Sequence, residues 1–196
     1  MIKIAISGKA NSGKDTISKM FCELIHPFHK YTKNHCKIIA FADPIKNIIK
    51  TMYPQIDPLH LFGSSEYRGE IIPGSFVDGV PLTIRRLLQD FGEGCKKYNP
   101  KIWIDVFDNK LKKCEKDKIN IVIASDLRFI DELNYLRENG FVLIRLLKPD
   151  DVPQMSHISE TQQNQIKDEE FNFIINNDGT LNDLNNKVLE IVNKIQ

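Results

Sequence analysis

The sequence has no long uninterrupted apolar run, and this lack argues against a membrane-spanning protein. Its apolar stretches are short and interrupted by charged residues, whereas a transmembrane helix needs roughly 20 consecutive apolar residues. Met1 to Lys3 lead directly into a strand pattern, so we also expect no signal peptide. Both features predict a protein of the cytoplasm.

The chain also has little net charge and no closely spaced cysteine pair. The formal net charge is +1, which gives no electrostatic reason to expect nucleic acid or a membrane surface as a partner. The four cysteines, at positions 22, 36, 95 and 114, show no C-x-x-C spacing. We therefore expect reduced, buried thiols.

Arginine is rare as well, and most positively charged residues of the chain are lysines. In such a sequence an arginine at the end of a strand indicates a planar, bidentate contact with an anion. Arg128, which follows a strongly apolar strand, fits this description.

The chain does have two kinds of apolar pattern, one typical of buried strands and one typical of helices, which alternate along the sequence. With 196 residues, 41% of them hydrophobic and 27% charged, it fits one globular domain. Continuous apolar runs alternate with segments of helical period, which predicts an α/β fold with a three-layer parallel sheet of about five strands and helices on both faces. The predicted strands are residues 2–6, 36–42, 119–125, 141–147 and 171–175. The predicted helices include one that runs to Gly140 and a last one at residues 181–195. Residues 57–81 show no clear period and are predicted to form a long loop, either functional or mobile.

The segment GKANSGK, directly after the first strand, has the spacing of a phosphate-binding loop. Two glycines lie five positions apart and a lysine follows, between a buried strand and a helix. Backbone N–H groups of such a loop surround phosphate oxygens, and the lysine reaches the β- and γ-phosphates. A plain strand-to-helix turn is the alternative, but the context on both sides favours phosphate binding. The predicted nucleotide-binding residues here are Gly8, Ala10, Asn11, Ser12, Gly13 and Lys14.

Asp15 stands where such loops usually carry Ser or Thr, and Thr16 comes one position late. A carboxylate beside a triphosphate would be repelled unless a cation lay between them, so Asp15 and Thr16 predict Mg²⁺. The alternative is that Asp15 only compensates the helix dipole.

Asp126 follows the apolar segment INIVIAS, in the manner of a strand that delivers a carboxylate to the metal beside the phosphates. The alternative is that Asp126 is a helix N-cap. Together with the phosphate loop, Asp126 and Arg128 predict a site for phosphoryl transfer.

Several segments occur in a family-specific order: SGKANSGKDT, FADPIK, RRLLQDFG, WID, SDLRFIDE, HISE and NNDGTL. In these segments the chain resembles the deoxynucleoside monophosphate kinases of large DNA viruses and phages. The resemblance implies a P-loop kinase domain over residues 1–196, with an acceptor-binding insert at about 53–100 and a lid at about 145–168. It also implies transfer of the γ-phosphoryl group of ATP to a deoxynucleoside 5′-monophosphate, in the host cytoplasm if the chain is viral.

The resemblance also implies roles for individual residues. Lys14, Asp126 and Arg128 would be catalytic, Asp15, Thr16 and Asp126 would bind Mg²⁺, and Arg145 would join the loop in binding ATP. The residues implied for the acceptor are Asp43, Lys46, Arg85, Gln89, Trp103 and Arg128. Alternatives stay open: Asp43 as a helix cap, Gln89 as a solvated residue, Trp103 in core packing and Ser159 in a capping box. The lid would carry Lys148 and His157.

Two rival functions remain open from the sequence. One is another small-molecule kinase of the same fold, of the phosphomevalonate or dephospho-CoA kinase type. The other is a nucleotide-dependent switch without turnover. The sequence does not decide which bases are accepted, how strictly ribose is excluded, or whether the chain is a monomer or a homodimer.

Overall fold

The computed structural model describes residues 1–25, 35–149, 163 and 165–195. Its contacts divide the chain into two compact units, one formed by Met1–Ala40 with Phe107–Gln196 and the other by Phe41–Val106. Each unit has its own apolar core. The range predicted as the acceptor-binding insert, 53–100, falls within the second unit.

The elements follow the alternation that the sequence predicts. The strands are β1 Ile2–Ser7, β2 Cys36–Ile39, β3 Ile71–Val77, β4 Val80–Thr83, β5 Ile121–Leu127, β6 Val142–Leu147 and β7 Phe173–Asn176. The helices are α1 Lys14–Leu24, α2 Asp43–Met52, α3 Pro58–Phe62, α4 Ile84–Lys96, α5 Ile102–Lys116, α6 Ile130–Glu138 and α7 Leu181–Ile195. In the described part of the chain, no helix combines the length and the apolar character that crossing a bilayer requires.

The first unit is built on a parallel sheet with the strand order β2-β5-β1-β6-β7. Alternate residues of its strands, such as Ile4 and Ile144, share one core with the apolar residues of α1 and α7. The residues between them, such as Ala5 and Leu143, are also buried, and they point to the opposite face because successive side chains of a strand alternate. The predicted α/β fold with a five-stranded parallel sheet is confirmed.

The contact between α5 and α6 in the first unit combines packing with one hydrogen bond. Phe107 contacts the ring of Tyr135 edge to face, and Tyr135 Oη donates to Asp108 Oδ1 at 2.8 Å. Burial, and next the hydrogen bond to Asp108, raises the pKa of Tyr135. The phenol therefore stays a neutral donor at physiological pH.

In the second unit the prediction of a long loop at residues 57–81 is wrong. The segment contains α3, a 3-10 turn at Ser65–Gly69 and the antiparallel hairpin of β3 and β4. Asp78 and Gly79 both have positive φ, at 54° and 75°, which is the requirement of a two-residue type I′ turn. Ile72 and Leu82 turn inward to a core shared with Ile49 and Ile84.

The expectation of reduced thiols is also wrong for two of the four cysteines. Cys22 in α1 and Cys36 in β2 form a disulfide, with 5.6 Å between their Cα atoms. Cys95 and Cys114 are free. The signal was not in the spacing of the cysteines, because the fold brings the end of α1 next to the edge strand β2.

Candidate active site

The loop between β1 and α1 needs glycine at both ends. A Cβ atom at Gly8 would lie 2.7 Å from Ser12 Oγ and 2.8 Å from the carbonyl oxygen of Leu146, closer than folded proteins allow. Gly13 has φ +101°, a conformation that is strained for residues with a side chain. The loop therefore packs closely against β6 and leads directly into the first turn of α1.

Lys14 opens α1 and folds back over the loop. Its Nζ donates to the carbonyl oxygens of Gly8 at 2.7 Å and Lys9 at 2.5 Å. The ammonium group thus lies at the loop rather than in solvent. Ser12 Oγ, in the same loop, is buried without a hydrogen-bond partner among the described residues.

Asp15 and Thr16 occupy the first turn of α1, and both side chains are exposed. Neither is used in the core, whereas the next residue, Ile17, is fully buried. The carboxylate and the hydroxyl are therefore accessible to a ligand at the positive end of the helix.

Asp126 lies inside β5, where the pairing with β1 changes register. Ala5 pairs with Ala124, but Ser7 pairs with Leu127, so Ser125 and Asp126 together oppose the single residue Ile6. This is a β-bulge. In regular one-to-one pairing, Ser125 would lie opposite Ile6 and Asp126 opposite Ser7. In the bulge, Asp126 lies opposite Ile6, whose side chain is on the face that α1 covers.

The prediction that a carboxylate follows the apolar strand at 119–125 needs one correction, because β5 continues to Leu127. The alternative of a helix N-cap at Asp126 is wrong, since α6 begins at Ile130 with Phe129 as its N-cap. The cap is supplied instead by the buried Glu132, whose carboxylate accepts from the N–H groups of Arg128 and Phe129 at 2.9 and 3.1 Å. Arg128 is thereby held directly after the carboxyl end of β5.

A cleft of about 190 Å³ adjoins the loop in the first unit. It is lined by residues 7–9 and 145–149 and by Gln163. Arg145 pairs in register with Ser7, but its guanidinium group is bonded to the carbonyl oxygen of Ile166 and to Asp168. Lys148 is exposed at the cleft. His157, Ser159 and most of the predicted lid lie outside the described residues.

Except for Arg128, the residues implied for the acceptor belong to the second unit. Asp43 begins α2 and pairs with Lys46 at 3.7 Å; the N-cap is Ala42, so Asp43 is not the cap that the alternative required. Arg85 in α4 donates to the carbonyl oxygen of Ser65 at 2.8 Å. Gln89, one turn further along α4, is half-buried.

Trp103 belongs to the second unit and is buried. It is 6% exposed, and its indole N–H donates to the carbonyl oxygen of Gly92 at 3.0 Å. With its one polar group satisfied and its ring covered, the packing role that the sequence left open is favoured over stacking on a base.

Sequence reasoning missed two amide side chains at the loop. Asn177 Nδ2 donates to the carbonyl oxygen of Ser12 at 2.9 Å, and Gln163 Nε2 donates to Ser7 Oγ at 3.0 Å. Asn177 belongs to the segment NNDGTL, so a signal for it was present. Nothing in the polar run around Gln163 distinguished it from its neighbours Gln162 and Gln165.

Comparison with known proteins supports the resemblance. The family model for deoxynucleotide monophosphate kinase matches residues 75–188. A protein of Acanthamoeba polyphaga mimivirus, named "Putative deoxynucleotide monophosphate kinase", is 22% identical over 98% of this chain and 96% of its own length. Dephospho-CoA kinase from Campylobacter jejuni has the same fold, with a TM-score of 0.50 and 14% identity over 98% of this chain and 96% of that one.

The family match spans more than half of the chain and includes Arg85, the bulge at Asp126 and Arg128. The loop at Gly8–Lys14 precedes the matched range, yet its strand β1 is hydrogen-bonded directly to β5 inside that range. The chain therefore belongs to the deoxynucleotide monophosphate kinase family and is a nucleotide kinase.

Proposed function

We propose that the protein transfers the γ-phosphoryl group of ATP to a deoxynucleoside 5′-monophosphate, giving ADP and a deoxynucleoside diphosphate. The observation that carries this proposal is the adjacency of β1 and β5, because one strand leads into the glycine loop and the other holds Asp126. Phosphoryl transfer needs positioning and charge stabilisation rather than a covalent intermediate.

The first unit supports binding of the donor. The loop closes tightly at Gly8, α1 points its positive end at the loop, and Lys14 Nζ already lies over the loop carbonyls. Phosphate oxygens would replace those carbonyls as partners of the ammonium group. Such charge-assisted hydrogen bonds are shorter and stronger than those to neutral carbonyls.

The residues present fit Mg²⁺, although only together with nucleotide. No group of three or more His, Cys, Asp or Glu residues in the described chain could hold a metal. Asp15, Thr16 and Asp126 offer oxygen ligands, and Mg²⁺ characteristically takes one or two carboxylates, phosphate oxygens and waters. When bound, Mg²⁺ neutralises charge on the transferring phosphoryl group.

A test of the metal assignment is to replace Asp15 with alanine. The concentration of Mg²⁺ for half-maximal activity is expected to rise about tenfold, the scale on which carboxylates near a metal change its affinity. Binding of ATP without metal should stay unchanged or become tighter, because a repulsive carboxylate has gone. Activity titrations with Mg²⁺ and calorimetry of ATP with and without Mg²⁺ measure both effects.

Two further variants make that result specific. Thr16→Val should share the metal defect without the gain in metal-free binding, since a hydroxyl group repels nothing. Glu23→Ala removes an exposed carboxylate at the other end of α1 and should leave the Mg²⁺ requirement unchanged. A wild-type requirement in Asp15→Ala would leave Asp15 with only a helix-dipole role.

The second unit supports binding of the acceptor. Arg85 is half-buried, and its bond to the carbonyl oxygen of Ser65 fixes the guanidinium group. That bond uses one of five N–H donors, and a guanidinium matches the oxygens of a phosphate. Lys46 and Asp43, at the start of α2, are proposed to bind the same nucleotide with Gln89. Arg128, directly after β5, is proposed to contact the transferring phosphoryl group.

Arg85→Ala is therefore expected to raise the KM for the acceptor by roughly 10- to 100-fold, the range of one charged hydrogen bond, with the KM for ATP unchanged. The neighbouring residue gives a matched control. Arg86 lies beside Arg85 but pairs with Asp78 and Asp90 at the surface, so Arg86→Ala should leave both KM values unchanged. Initial rates with each substrate varied in turn measure these constants, and equal changes for both substrates in Arg85→Ala would contradict the assignment.

The experiment that tests the proposed function is an assay of the purified protein with ATP, Mg²⁺ and a panel of acceptors. The panel contains deoxynucleoside monophosphates, the corresponding ribonucleotides, dephospho-CoA and phosphomevalonate. Formation of a deoxynucleoside diphosphate supports the proposal. Phosphorylation of dephospho-CoA or phosphomevalonate alone would assign the chain to another small-molecule kinase, and tight ATP binding without transfer would indicate a switch.

A further inference from the structure

Gln163 is a buried amide at the carboxyl ends of two neighbouring strands. It is 4% exposed. Its Nε2 donates to Ser7 Oγ at 3.0 Å and lies 3.5 Å from the carbonyl oxygen of Leu127. Because a backbone carbonyl can only accept, Leu127 fixes which end of the amide faces the strands. One side chain thus bridges the last residue of β1 and the last residue of β5.

Each of these two strand ends lies next to a group that is proposed to act in phosphoryl transfer. Ser7 is followed directly by Gly8 and the loop that carries Lys14, and Leu127 is preceded directly by Asp126. Ser7 and Leu127 are also register partners on the far side of the bulge. A bulge disrupts the local ladder of hydrogen bonds, so the bridge joins the two strands directly beside an interruption in their own pairing.

We infer that Gln163 is a positioning residue for phosphoryl transfer, which holds the loop of Lys14 and the carboxylate of Asp126 at a fixed distance by bridging Ser7 and Leu127. Gln163 acts through these two residues. The inference rests on the proposed function for its catalytic consequence, but the bridge itself is a property of the fold.

The test compares Gln163→Leu and Gln163→Glu with Gln165→Leu, a change at an exposed glutamine two residues away. Both changes at Gln163 are expected to lower kcat by about 10- to 100-fold, as small misplacements of catalytic groups do, with the KM for ATP changed less than threefold. Gln165→Leu should behave as wild type. A purely structural role would lower the melting temperature and the folded fraction but leave kcat per folded molecule unchanged, which would overturn the inference.

A second variant tests whether the bridge is the cause. Ser7→Ala removes the acceptor at one end, so the double variant Ser7→Ala/Gln163→Leu should lose no more kcat than the worse of the two single variants. Multiplying losses would mean that the residues act independently, and would overturn the inference.

Amide hydrogen exchange gives a readout that needs no turnover. Exchange at residues 4–14 and 121–127 should be faster in Gln163→Leu than in wild type and unchanged in Gln165→Leu. If the wild-type protein phosphorylates no monophosphate, the proposed function fails. Hydrogen exchange alone then tests whether Gln163 restrains the ends of β1 and β5. Equal exchange in all three proteins would overturn the inference.

Discussion

Replacing Lys14 with methionine is expected to lower kcat by about a hundredfold or more, the scale of losing one preorganised electrostatic group in an active site. Methionine keeps the length and the apolar stem of lysine but removes the charge that stabilises the transferring phosphoryl group. It also removes the bonds from Nζ to the carbonyl oxygens of Gly8 and Lys9. Turnover at saturating ATP and acceptor measures the loss.

The control for Lys14 lies on the same helix. Lys19 is exposed in α1, so Lys19→Met removes the same charge away from the loop and should keep wild-type turnover. Thermal unfolding of both variants separates a catalytic loss from a loss of folded protein. Near-normal turnover of Lys14→Met would contradict the assignment of residues 8–14 as the phosphate-binding loop.

The second large effect is expected at Asp126. Asp126→Asn keeps the size of the side chain and removes its charge, so kcat should fall about a hundredfold, equivalent to roughly 2.7 kcal/mol of transition-state stabilisation. The affinity for ATP should change far less, as expected for a group that acts on the metal or the transition state. Single-turnover rates and ATP titrations measure the two quantities separately.

Asp131→Asn is the matched control for that change. Asp131 is an exposed carboxylate in the first turn of α6, five residues further along the chain, and its replacement should leave turnover unchanged. If Asp126→Asn lost activity only in proportion to its thermal stability, its carboxylate would be structural. Parallel losses in both variants would point to the general charge of this region rather than to a metal ligand.

The elements of the first unit could be predicted because local signals and tertiary structure agree there. The helix at 181–195 was predicted with the bounds of α7, since its apolar residues recur at helical spacing and a large core covers them. The helix predicted to run to Gly140 ends at Glu138 with Asn139 as its C-cap, and Gly140 follows in the left-handed conformation with a φ of +72°. The strand predicted at 141–147 differs from β6 by a single residue.

The second unit shows why other features were missed. The apolar segment before Asp78-Gly79 is broken by Pro73 and Gly74, which hide the alternation of β3. The dipeptide Asp-Gly between apolar residues was nonetheless a usable signal for the hairpin. Ile48 and Met52 lie on the apolar face of α2 but are 39% and 55% exposed, because periodicity indicates which face is apolar and not how much of that face is covered.

Site residues could likewise be predicted where the sequence signal is local, and were missed where they depend on tertiary contacts. The loop at residues 8–14 has a fixed spacing within one strand-turn-helix unit, so sequence alone indicates it. The disulfide of Cys22 and Cys36 joins α1 to the edge strand β2, and Gln163 bonds to Ser7, which lies 156 positions earlier in the chain. Such contacts depend on the order of strands in the sheet, which no local pattern specifies.

The bulge in β5 makes the length of that strand as important as its composition. Substitutions at Ile121 or Ile123 by other apolar residues would change packing slightly. Deleting Ser125 would instead restore regular pairing and remove the local bend and twist that a bulge gives its strand, and so would change the direction of the carboxylate opposite Ile6. During divergence, the number of residues between the start of β5 and Asp126 is therefore expected to be held constant while their identities change. In alignments of related chains, gaps are expected in the surface connections before β5 and after α6, but not within the strand.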